Sequence, residues 1–139
     1  PLSDDPNEGF VGNYWDPRGQ IPPASYGVYA GPIAALLRED GLNAYADSGL
    51  SWETIRNEIA YGRPVMAWVI NNTYPGAPVS YTPANGNTTT VAHFQHTVLV
   101  IGYTPSYAVI LDGDIVYWRT IDQFLDSWSV LGNMAVLIQ

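Results

Sequence analysis

The spacing of apolar residues changes period several times along the chain, and each change predicts an element. Helical signals begin near Tyr29. Pro32 suits a first-turn position, Ile33, Leu36, Leu37 and Asp40 follow at helical spacing, and Gly41 suits the residue just past a helix end. Ser51 is a good N-cap for a second helix, which places Trp52, Ile55 and Ile59 on one face before Gly62 stops it. Val65–Ile70 is a short, nearly continuous apolar run, the pattern of a buried strand. Two more such runs, Phe94–Tyr103 and Ala108–Asp112, follow at close quarters, with Ile115–Trp118 as a third. Thr120 with Gln123 reads as a capping box for a last helix. Ile121, Phe124, Leu125, Trp128 and Leu131 form its apolar stripe, Gly132 ends it, and Met134–Ile138 is a final strand.

The remaining segments carry little periodicity. Residues 1–28 are rich in Pro, Gly, Asp and Asn with isolated aromatics (Phe10, Tyr14, Trp15), which predicts an irregular lead-in packed across the surface through those aromatics. Structureless stretches of this length are uncommon inside a compact domain. The segment therefore reads as a connection from an element outside the 139 residues, with Pro1 a processing, proteolytic or cloning boundary. Residues 71–90 predict a long loop with a small hairpin around Val79–Tyr81. Helices first, then a mainly antiparallel sheet with one more helix, give the α+β class. Residues 1–139 read as one domain, a partial one, of a size that buries roughly 68% of its unfolded surface.

Composition narrows the chemistry. The formal net charge is −8, and all five cationic side chains are arginines dispersed along the chain. Nucleic acid and anionic membranes are therefore poor partners. No apolar run approaches the ~20 residues of a membrane span. The chain has no cysteine, which excludes disulfides, thiolate metal sites and a thiol nucleophile from within these residues. No signal-peptide pattern is present; a secreted or cell-envelope setting is favoured over the cytoplasm.

The chemistry that remains centres on His96, at the start of a strand with apolar residues on both faces. Asp112, at the end of the next strand, is the nearest partner for its ring N–H. If the connection adds an even number of residues, Asp112 faces away from His96. An odd loop or a bulge sets Asp112 opposite Val98, on the face of His96 and about 7–8 Å away at Cα. The alternative is a satisfied core histidine and an aspartate that merely precedes the Gly113 turn. His93-x-x-His96 suggests a metal, yet residues three apart on a strand point to opposite faces. No metal or cofactor is expected. Ser25 and Ser127 lack any mark of an activated nucleophile. The five tryptophans read as packing.

Taken in order, Tyr26-Gly-Val-Tyr-Ala30, Gly62-Arg-Pro-Val65, His96-Thr-Val-Leu-Val-Ile-Gly-Tyr103, Asp112, Phe124-Leu-Asp-Ser-Trp128 and Leu131-Gly-Asn-Met-Ala135 resemble the papain-like cysteine peptidases of the bacteriocin-processing (double-glycine) type, in their broad bacterial peptidase-like branch. The likeness runs from about Asp4 to the C-terminus. It implies a papain-like fold in which His96 is the base and Asp112 orients it. It also implies a catalytic cysteine on an N-terminal helix, preceded by a glutamine of the oxyanion hole, and neither lies in this chain. Gln95 stands where an acid is expected, and Gly113 where proline is usual.

The resemblance therefore implies the C-terminal part of a cysteine peptidase domain, inactive as this chain, whose intact parent cleaves a peptide or protein substrate. The alternative is a non-catalytic peptide-binding or cell-surface interaction module on the same fold. The missing helix is expected to leave an apolar sheet face open to an oligomer partner or swapped segment.

Overall fold

The computed structural model describes residues 2–139. Its elements in chain order are α1 (Ala30–Glu39), β1 (Ala44–Asp47), α2 (Trp52–Ala60), β2 (Val65–Ile70), β3 (Val79–Tyr81), β4 (Thr89–Val91), β5 (Gln95–Tyr103), β6 (Tyr107–Asp112), β7 (Ile115–Thr120), α3 (Ile121–Ser129) and β8 (Ala135–Ile138). One six-stranded sheet has the order β1-β8-β2-β5-β6-β7, and β3 pairs with β4 in a small second sheet. Every ladder among these strands is antiparallel. This is the expected α+β arrangement, a mainly antiparallel sheet with flanking helices.

Helix boundaries follow the capping chemistry. Ser51 Oγ accepts the Thr54 N–H at the start of α2, and Thr120 Oγ1 accepts the Gln123 N–H at the start of α3. Gly41 and Gly62 take positive φ (88° and 76°), the conformation that ends a helix without steric cost. The capping box of α3 is half made. The Gln123 side chain does not return to Thr120; its Nε2 donates to the carbonyl of Thr73, 3.1 Å away. The periodicity reading missed β1, because Ala-Tyr-Ala-Asp has weak strand propensity and only Ala44 is buried.

The sheet has two apolar faces, treated differently. On the inner face Val65, Ala67 and Val69 of β2 meet Val98 and Val100 of β5, Ala108 and Ile110 of β6, and the α2 and α3 residues Ile55, Phe124 and Trp128. On the outer face Trp68, Ile70 and Val136 meet Ala30 and Ala34 of α1, with Tyr29 and Tyr26. That cover extends over β1, β8 and β2 and reaches β5 at Gln95. The outer face of β5–β7 carries Leu99, Val109, Leu111, Tyr107, Val116 and Trp118, the last two more than half exposed at 53% and 55%. Part of the outer face is therefore open and apolar.

Before Ala30 the described residues make only isolated bridges, Leu2 with Phe10 and Val11 with Gly27. The aromatics do not all anchor this lead-in. Tyr14 and Trp15 are exposed (83% and 68%) and pack edge-to-face on each other. Val11, Tyr26 and Tyr29 do the anchoring. The Tyr29 hydroxyl donates to the Thr90 carbonyl at 2.6 Å, and Tyr26 and Tyr29 share a 2.7 Å hydroxyl pair. Among the described residues no helix is long and apolar enough to cross a membrane.

Two consequences can be measured. Gly12 has φ +86°, and a methyl there would overlap the Cα of Ser25. Gly12→Ala should destabilise by more than about 1 kcal/mol in urea unfolding, since a side chain at positive φ adds strain to the clash. Glu58 is nearly buried and accepts from Arg63 Nε at 2.8 Å. That hydrogen bond, the largest influence on it, holds its carboxyl below the ordinary 4.5, against the opposing pull of burial. A depressed carboxylate stabilises the fold above its unfolded value and loses that contribution as pH falls through the folded one. Glu58→Gln should therefore unfold at lower urea than the wild type at pH 7, and the two midpoints should converge as pH falls below 4.5.

Candidate active site

β5 and β6 are joined by a tight turn in which the Thr104 N–H donates to the Tyr107 carbonyl at 2.9 Å. Next to that turn the partners are Tyr103 with Ala108 and Gly102 with Val109. Left regular, this even register would set Asp112 opposite Leu99, facing away from His96. The register instead shifts by one residue at Ile101, so that Val100 partners Ile110 and Leu99 partners Leu111. One more step sets Asp112 opposite Val98. The parity change comes from a β-bulge, not from an odd loop.

His96 lies opposite Val69 on the inner face, and its Nε2 is 2.7 Å from Asp112 Oδ1. An ionised carboxylate only accepts, so Nε2 carries the proton. In the neutral ring this leaves Nδ1 with a free lone pair, and no hydrogen bond reaches it from the described residues. The His96 side chain is 34% exposed and that of Asp112 15%. The two residues named from the sequence are therefore in contact, on adjacent strands of one sheet.

Asp112 is held at both oxygens. Its Oδ2 accepts from the Tyr117 hydroxyl at 3.1 Å. The hairpin to β7 is a two-residue turn, since Asp112 partners Ile115 directly. Gly113 takes φ +61° in it, a conformation closed to proline, which explains glycine at that position. Tyr117 is thereby the diagonal neighbour of Asp112 on the same face. Sequence reasoning missed Tyr117. The signal was present, because a Gly-Asp turn between two apolar runs fixes the β6–β7 register.

Gln95 points to the opposite face, across from Ile70. Its Nε2 donates to the Tyr26 carbonyl at 3.0 Å. A carboxylate there could not donate and would face a carbonyl dipole, so the amide suits the site better than the expected acid. Gly27 leaves room for it, because a side chain there would collide with the Gln95 amide. Gln95 Oε1 is the one buried side-chain polar atom without a partner among the described residues.

The remaining sequence candidates have other duties. His93 Nδ1 bonds the Gly19 carbonyl at 2.7 Å, away from the His96 partner. Ser127 is fully buried and accepts the Ile70 N–H at 3.0 Å, tying α3 to β2. Ser25 bonds the Asp16 carboxylate and accepts the Asn13 N–H. A cavity of about 250 Å³ opens beside His96 between the lead-in segment and the ends of β2 and β5. Phe10, Tyr26 and Phe94 give it apolar wall, Asn71 and Asn72 line it with neutral amides, and Asp16 and Arg18 place one charge of each sign on the lead-in side.

Comparisons with known proteins bear on the family and the fold. A solved structure of a candidate C39-like peptidase from Bacillus anthracis superposes with a TM-score of 0.81 at 26% identity, covering 97% of this chain and 68% of that one. No curated protein matches the sequence. The model of the Peptidase_C39 like family matches residues 2–136. With His96 and Asp112 joined on adjacent strands and a family model spanning nearly all its length, the chain belongs to the Peptidase_C39 like family.

Proposed function

We propose that this domain supplies the base half of a cysteine-peptidase site, with His96 as general base and Asp112 as the group that orients it. The observation that carries the reading is the 2.7 Å contact between His96 Nε2 and Asp112 Oδ1, which leaves Nδ1 without a partner among the described residues, with the cavity of about 250 Å³ beside the ring. A thiol placed at Nδ1 would give up its proton to the ring and become a thiolate near neutral pH. The sulfur would attack the peptide carbonyl carbon, the imidazolium would return its proton to the departing amine, and water would then hydrolyse the thioester.

These 139 residues hold no thiol, so the nucleophile has to come from residues outside them, and the chain alone is inactive. The open outer face of β5–β7 gives such residues, or a second subunit, apolar surface to pack on. The substrate is a peptide or protein segment. The amide side chains of the cavity suit main-chain groups.

The test is a longer form of the protein that contains a cysteine. It should hydrolyse peptides and react with a thiol-directed label, whereas the 139-residue chain should do neither. In that form His96→Ala should lower kcat by about 10⁴-fold or more, and Asp112→Asn by roughly a hundredfold less than that. A labelled thiol and a folded protein with no hydrolysis, or with hydrolysis indifferent to His96→Ala, would sink the catalytic reading. Peptide binding without hydrolysis would instead support the non-catalytic module.

A further inference from the structure

We propose that Tyr117 and Thr73 are positioning residues for the His96–Asp112 pair, holding the second oxygen of Asp112 so that its first oxygen stays aimed at the imidazole. The proposal rests on the reading of that pair as base and orienter, and its test is separable from that reading.

The proton directions along this chain of groups are fixed. Asp112 accepts at both oxygens, from His96 Nε2 and from the Tyr117 hydroxyl. Tyr117 has a single O–H, and the carboxylate takes it. The 3.1 Å contact between Thr73 Oγ1 and the Tyr117 oxygen must therefore run from Thr73 to Tyr117. Each bond polarises the next in the same sense. Burial, and more weakly the Asp112 carboxylate beside it, push the Tyr117 phenol above its ordinary value. It therefore remains a donor throughout the neutral range.

The backbone that presents Thr73 is strained. Thr73 is fully buried with φ +63°, and Asn71 has φ +51°. A β-branched residue in this region is a rare conformation, costing about 1–3 kcal/mol, and it persists only where its surroundings over-determine it. Here they do. Gln123 Nε2 holds the Thr73 carbonyl, Arg119 holds the Asn72 carbonyl through Nε and Nη2 at 3.2 and 3.1 Å, and the Tyr74 N–H donates to Ile70 at 2.8 Å. The Arg119 guanidinium also lies 4.1 Å over the Tyr117 ring and 5.5 Å over that of Tyr74. One cation thus fixes both the turn that carries Thr73 and the ring that carries the relaying hydroxyl. A threonine held in this conformation, with its hydroxyl spent on Tyr117, has a positioning task that an ordinary turn residue would not require.

The experiment uses the 139-residue chain labelled with ¹⁵N. The signal of the His96 Nε2 proton should lie downfield and exchange slowly with water, and His93 on its own carbonyl partner is the internal control. Tyr117→Phe keeps the ring under Arg119 and removes only the hydroxyl. It should speed exchange of the His96 proton about tenfold, the factor for losing one good hydrogen bond, and leave the His93 ring signals unchanged. Thr73→Ala should act in the same direction, and Thr73→Ser should restore wild-type exchange. If Tyr117→Phe does not fold, the two Thr73 variants decide alone. An unchanged His96 signal in folded Tyr117→Phe overturns the proposal. So does Thr73→Ser behaving like Thr73→Ala, which would make Thr73 a packing residue, or a wild type with no protected Nε2 proton. A thiol-bearing longer form that hydrolyses nothing, alongside the expected exchange pattern, would sink the peptidase reading and leave the positioning network intact.

Discussion

The site depends on a parity. Side chains on a strand alternate faces, so adding one residue to one partner of a ladder decides which face every later residue of that partner shares. The tight Thr104–Tyr107 turn, continued regularly, would put His96 and Asp112 on opposite sides of the sheet. The extra residue Ile101 in β5 turns them to the same side. Ile101 is itself 39% exposed and faces no strand partner. Its effect lies in what it does to the residues before it. The second hairpin needs no such correction, since its two-residue turn directly sets Tyr117 diagonal to Asp112.

A register can hold a carboxylate against an imidazole only if the strands themselves do not slip. The inner face supplies that rigidity. β2, β5 and β6 contribute fully buried valines, alanines and Ile110 against Phe124 and Trp128 of α3. Slipping any of these strands by one residue would move its inner set to the opposite face and force the other set into a core that it does not fit. α3 adds polar ties of its own. Ser127 satisfies the Ile70 N–H at the end of β2, and Gln123 satisfies the Thr73 carbonyl one turn of chain later. The helix that closes the core therefore also holds the turn next to the site, so packing and site geometry depend on the same element.

Most of the fold could be read from periodicity. Ser51, Gly41, Gly62 and the run Val65–Ile70 each carried a local signal strong enough to fix an element. The failures have physical causes. β1 is four residues with one buried side chain, too little to show a pattern. Thr120 and Gln123 looked like a reciprocal cap, but a carbonyl from a distant turn took the glutamine. Tyr14 and Trp15 looked like anchors, because an aromatic in a sequence gives no sign of which way its loop faces. For the site, both residues of the pair were legible, as was the condition on their pairing. What could not be read was how the condition is met, because a bulge at Ile101 leaves no residue signature of its own. Thr73 was out of reach altogether, lying in a loop whose left-handed conformation appears only in three dimensions.

The open outer face and the free Nδ1 pose related questions of incompleteness. A monomeric surface rarely exposes a contiguous strip of large apolar side chains without a partner for it. Here Val116, Trp118 and Tyr107 lie on such a strip, on the β6–β7 end of the outer face, beyond the reach of α1. On the other side, an imidazole has been given a fixed tautomer, a doubly held carboxylate and one lone pair with nothing to accept. A histidine kept only for packing would need none of that and would be simpler to bury as an apolar residue. The arrangement makes sense if Nδ1 is meant for a proton that these 139 residues do not carry. On the proposed reading of His96 as a base, a thiol proton would come from outside these 139 residues, which hold no cysteine. The apolar strip is surface of the kind that such a segment could cover.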